Sequence, residues 1–242
     1  MKTLKTLILV LTISSTLFAQ TEGDKMAYQA YITSNKSLWK QLVSKEQLAF
    51  DKSKTNENRY RLLLAQHGLL GATMTDQDED LFDDHYKKAK DNVEELIEAD
   101  YEVANAKAIL SAIYGWEIAY SGYKGMFLGG RNSTNIEQAT KLGPSSPLVW
   151  QIYASSKLFT PEMFGGDIDV AVNSFEKAIK LYDASGAAKK SNWRYLDALA
   201  WLGQAYKSTD QIDKAKMTYE KALQVEPNFG WVKYSLLPAL DQ

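Results

Sequence analysis

The 242-residue chain has no cysteine and only two histidines. Without cysteine it can form no disulfide, offers no thiol nucleophile or thiolate metal ligand, and cannot carry the lipid-modified cysteine of a bacterial lipoprotein. The two histidines, His67 and His85, give little material for acid–base catalysis. His67 lies inside the apolar run 62–70 and reads as a satisfied helix residue, and His85 sits beside Asp83 and Asp84. A Gly-x-Ser-x-Gly elbow, a His-Glu-x-x-His pair and a Gly-x-x-x-x-Gly-Lys loop are all missing. The expectation is a protein that is not an enzyme and uses no cofactor. Lys and Arg total 28 against 30 Asp and Glu, a formal charge of −2 without a basic cluster. Nucleic acid is therefore not an expected partner.

Long apolar runs are also missing. The longest apolar stretch near the start, Leu7 to Leu11, is too short to span a bilayer. With Lys2 and Lys5 before it and Leu17-Phe18-Ala19 after it, residues 1–19 read as a secretory signal peptide. The rest, 20–242, is expected to be a single domain in the periplasm or outside the cell, not membrane-spanning. Carboxylates alternate through Asp76-Gln77-Asp78-Glu79-Asp80 like the opening of an EF-hand loop. Leu81 then replaces the required glycine and Lys87 the closing glutamate, so the segment reads as an acidic helix start and no metal site is expected.

Period-two alternation never persists, whereas apolar residues recur at three and four throughout. About ten helices follow. The expected spans are 25–51 (with Trp39, Leu42 and Leu48 on one stripe), 57–73, 78–97, 103–120, 135–142, one opening at Pro147, 168–182, and a last helix over 229–240. Near the C-terminus, Leu202-Gly203-x2-Tyr206, then Ala215-x3-Tyr219-x2-Ala222, then Pro227, place small and aromatic residues at fixed intervals. Gly203 and Ala215 are small where two antiparallel helices would cross, and Tyr206, Tyr219 and Ala222 would fill the space between repeats.

This spacing resembles the tetratricopeptide repeat (TPR) family over 196–229, with Leu199 where the pattern prefers Trp. Ala171, Phe175 and Ala178 repeat the small–aromatic–small step, giving a degenerate copy over 147–185. The resemblance implies an all-α, TPR-like helical-hairpin solenoid of about ten helices whose work is binding. On the TPR pattern Trp201 faces the concave groove, with Asp197 and Gln204 above and below it. Most tryptophans should be core; Trp116 and Trp150 are nonetheless counted with the groove candidates.

Two segments echo each other: Met126-Phe127-Leu128-Gly129-Gly130 and Met163-Phe164-Gly165-Gly166-Asp167. Both read as glycine-permitted turns between the helices of a repeat. Pro161 and Phe164 to Asp167 resemble a stretch found before a repeat helix in exported bacterial TPR-like proteins. Met163 and Phe164 therefore join the candidate contact residues. The leading expectation is an exported scaffold for a protein or peptide partner. The alternative is a periplasmic carrier, or a transporter-associated TPR-like component, holding a small molecule in a closed apolar pocket.

Overall fold

The computed structural model describes residues 21–189 and 191–240; the expected leader at 1–19 lies outside the described residues. Ten α-helices follow one another: α1 (Glu22–Ile32), α2 (Lys36–Lys52), α3 (Asn56–Thr73), α4 (Glu79–Glu98), α5 (Val103–Tyr120), α6 (Gly125–Leu142), α7 (Pro147–Phe159), α8 (Ile168–Ala184), α9 (Trp193–Ser208) and α10 (Ile212–Val225). Among the described residues there is no strand. The protein is an all-α, TPR-like solenoid.

Local chemistry sets the helix starts. Thr21, Asn35, Thr55, Asp78, Ser146, Asp167 and Asn192 each cap a helix with a side-chain oxygen that accepts a backbone N–H two or three residues on. Thr21 and Asp24 complete a reciprocal capping box on α1. Asp78 also receives Lys36 Nζ at 2.5 Å, and Asp76 receives the same ammonium at 2.7 Å. The acidic stretch thus begins α4 and ties it to the start of α2.

Several spans differ from the sequence reading. The expected helix 25–51 breaks at Thr33–Asn35, where Ser34 takes φ 50°. Leu48 does not share the Trp39–Leu42 stripe; it is 70% exposed, because α2 buries Trp39, Leu42, Val43, Glu46 and Phe50 instead. The helix expected at 135–142 begins ten residues earlier, at Gly125, and so absorbs the first Met-Phe-x-Gly-Gly segment, which is helix and not a turn. Nothing lies within 4 Å of a Cβ placed on Gly129 or Gly130, so no packing demand breaks the helix there. The last helix is replaced by a π-helical turn (Val232–Leu236) and a 3-10 turn (Pro238–Leu240).

Odd- and even-numbered helices pair as five successive hairpins, and each odd helix also packs on the next odd one. The odd helices therefore form the inner layer. They do not stop at an open end: α1 touches α9 as well as α3. One hydrophobic core accordingly joins the two ends of the chain, with Tyr28, Trp39, Leu62 and Leu69 in the same cluster as Phe175, Tyr195, Tyr219 and Phe229. A second core fills the middle, from Leu63 and Phe82 through Ile109 and Ile113 to Ile136 and Val149. The fold is a solenoid curled until its first and last repeats meet.

Candidate binding surfaces

The inner face comes first, since the TPR pattern points there. Asp197 on α9 accepts three hydrogen bonds: from Tyr31 Oη of α1 at 2.8 Å, from Gln151 Nε2 of α7 at 2.6 Å and from Trp201 Nε1 at 3.1 Å. Burial pushes its carboxyl up to about 6, against the pull of these three donors and of the Arg194 charge. Asp197 is therefore a structural hub and has no free acceptor pair facing solvent. Gln204 turns away from it and accepts from Tyr219 Oη of α10 at 3.2 Å. Of the expected Asp197–Trp201–Gln204 set, the structure joins the first two and sends the third into the α9–α10 hairpin.

Trp116 is half-buried on α5, its ring 5.2 Å from that of His67. Trp150 is half-buried too; its Nε1 donates to Pro144 O at 2.9 Å and Lys177 Nζ stands 3.4 Å from its ring centre. The sequence reads His67 as a satisfied helix residue; it is buried in α3, but its Nδ1 finds no partner among the described residues. Burial first, and the Arg194 charge second, lower its pKa to about 3, so it is neutral at ordinary pH. Arg194 reaches Leu64 O of α3 at 3.4 Å and lies over the Trp193 ring. The inner face is thus occupied by the protein's own side chains.

Two cavities lie elsewhere and are open to solvent. One of about 590 Å³ runs along the outside of α2 past Lys40, Ser44 and Leu48. Another, of about 330 Å³, adjoins Glu162, Gly166 and Asp169. Neither is an apolar chamber walled by several repeats.

The outer edge is different. Inner helices α5 and α7 pack together, and each is followed by a short turn. The first turn, Gly122–Lys124, is a 3-10 turn closed by Lys124 N donating to Ser121 O at 2.9 Å. It presents Tyr123, and the first turn of α6 presents Met126 at 79% and Phe127 at 69% exposure.

The second turn is built more tightly. Phe164 N and Gly166 N both donate to Pro161 O, Lys157 Nζ donates to Gly165 O at 2.8 Å, and Gly165 takes φ +93°. A Cβ on Gly166 would stand 1.7 Å from Thr160 O, so only glycine closes this loop. The framework holds Met163 at 83% and Phe164 at 69% exposure. Phe159, 60% exposed, continues the edge and meets Trp201 edge-on at 4.8 Å, and Trp201 meets Trp231 at 5.1 Å. Tyr123 and Phe159 escaped the sequence reading. Each lies where a helix ends, and no periodicity distinguishes an exposed end from a buried one.

The tetratricopeptide repeat family model matches residues 196–229, which are α9, α10 and the turn after them. No curated protein matches the chain. Among solved structures, it is similar to the HusA haemophore from Porphyromonas gingivalis, with a TM-score of 0.61 at 16% identity over 79% of this chain and 95% of that one. It also matches BtubC from P. vanneervenii at 15% identity over 88% of each chain, but a TM-score of 0.44 is too low to bear on the fold. The likeness to HusA shows a shared fold.

Proposed function

Starting from a tetratricopeptide repeat set in a closed TPR-like solenoid, we propose that this protein is an exported binding scaffold that takes a protein partner on its outer turn edge. One observation carries the reading. Six large apolar side chains, Tyr123, Met126, Phe127, Phe159, Met163 and Phe164, stand 60% or more exposed on the stretches 123–127 and 159–164, which we take to lie side by side because α5 and α7 pack together. Exposed apolar groups gathered in one place mark interaction sites, whereas scattered ones do not. Burying a Phe or Met on association is worth about 1.5–3 kcal/mol each, so four such anchors are ample for a specific contact. Methionine adds a flexible, polarisable contact that tolerates an irregular partner surface. The scaffold acts by binding and not by turnover, and works in the periplasm or outside the cell.

The test is native mass spectrometry on the protein purified gently from its host. It is run on wild type and on the quadruple variant Met126→Ser, Phe127→Ser, Met163→Ser, Phe164→Ser. A co-purifying polypeptide that is lost in the variant supports the reading; one retained undiminished would overturn it.

The likeness to a haemophore favours one second reading, a flat apolar ligand held against the same edge. Titration with haem, followed by absorbance, separates the two. Saturable binding that the quadruple variant loses, with no polypeptide bound, selects the carrier.

A further inference from the structure

An open solenoid leaves its concave face free along its length, and this one does not. The joint between its first and last hairpins is made by α1 from one side. Tyr31 packs between Trp193 and Phe229, with ring centroids 5.1 and 5.5 Å away, and donates to Asp197 at 2.8 Å. Tyr28 donates to Glu226 Oε2 at 3.0 Å. Among the described residues no ion pair links α1 to the rest of the chain; its Lys25 pairs with its own Glu22. At eleven residues α1 is shorter than a helix that persists alone in water; it buries Ala27, Tyr28 and Ala30 and packs Met26, Tyr31 and Ile32, each partly buried, against the same core. Its hairpin partner is held otherwise: Trp39 of α2 is 2% exposed, and its ring covers the place where Gly68 of α3 would carry a Cβ. The joint therefore has one weak leaf on an anchored support.

We propose that α1 is a latch that leaves the ring locally while the other hairpins stay folded, uncovering Trp193, Asp197 and Phe229 on the inner face. Local opening of this kind is expected where two side-chain hydrogen bonds and no ion pair join a short element to its neighbours.

The geometry also gives the latch a pH dependence. Asp197 is faced by Tyr31 from α1, by Gln151 from α7 with Tyr182 of α8 behind it, and by Trp201 and Arg194 from α9; neutral His67 of α3 lies beyond Arg194. Burial is the first cause of its raised pKa of about 6, and α1 supplies part of that cover. The Tyr31 hydrogen bond, lost with α1, pulls the other way; with burial the larger cause, the closed state is taken to hold the proton more tightly than the open one. Closure is favoured below pH 6 and weakens as pH rises through that value. The proposal does not depend on the turn-edge reading and can fail separately from it.

Hydrogen exchange by mass spectrometry on the full chain, corrected for intrinsic rates and compared at pH 5.0 and 7.5, tests it. The α1 amides should open more often than those of α9 and α10 at both pH values. Their opening constant should rise about tenfold between the two, if release returns Asp197 to its ordinary 3.8. Asp197→Asn should abolish that rise. Tyr31→Phe should speed α1 exchange about fivefold at pH 5.0 without changing α9 and α10; if that variant does not fold, Tyr28→Phe serves instead. Equal opening free energies for α1, α9 and α10 would mean that α1 leaves only with global unfolding, and would overturn the latch. A tenfold rise that persists in Asp197→Asn would overturn its assignment to this carboxylate.

Discussion

The first and last hairpins meet at the same joint and use the same device in different registers. In the last hairpin, Tyr219 of α10 lies over Gly203 of α9, where a Cβ would come within 2.1 Å of the ring. The bulky-on-glycine contact there is internal to one repeat. At the other end, Trp39 of α2 lies over Gly68 of α3, where a Cβ would come within 2.3 Å. That contact joins the first repeat to the second and leaves α1 outside it. A repeat sealed internally carries its signature within 34 matched residues. A repeat sealed through its neighbour shows none, because half of its signature belongs to the next helix.

The comparison can be broken by substitution. Trp39→Ala should have the largest effect, about 4 kcal/mol lost in urea unfolding, since it removes a fully packed indole and leaves a cavity beside Gly68. A loss under about 1 kcal/mol would show that the first hairpin does not rely on this contact. Gly203→Ala should cost roughly 3 kcal/mol, at the upper end of ordinary overpacking, because the obstacle is an enclosed ring with little room to move. If it costs less than a surface substitution, the internal seal of the last hairpin has been misjudged.

Asp197→Asn should have an effect that depends on pH. An acid whose folded pKa is raised contributes stability below its unfolded value and loses it as pH rises through its folded value. The wild type should therefore lose up to roughly 3 kcal/mol from this group between about pH 4 and 7. The difference between variant and wild type, measured by urea unfolding at both ends of that window, isolates the group from other carboxylates. A difference that does not change with pH would remove Asp197 from the account.

Much of the fold was legible because helical periodicity, caps and the small–aromatic spacing are local. The span 103–120 was read as it stands, and Asp78 and Pro147 mark the helix starts that their chemistry favours. Errors arose where local signals compete. Ser34 breaks a helix whose apolar period continues across it, and Gly129-Gly130 looks like a turn because glycine is permitted in turns but does not require them. The candidate site was legible in part. Met163 and Phe164 stood out because Pro161 and the glycines isolate them. Asp197 and Gln204 were read as groove residues although Tyr31 and Tyr219 claim them.

By itself, the sequence determined an all-helical repeat chain and the identity of its clearest repeat. These follow from composition and from spacings of three, four and 34 residues, which any single helix or hairpin must satisfy. Only the tertiary structure decided that the ends of the solenoid meet. Curvature accumulates from small rotations at each repeat, so contacts such as Tyr28 to Glu226, 198 residues apart, leave no local trace. The same closure fills the inner face, while Met126, Phe127, Met163 and Phe164 stay exposed on the outside.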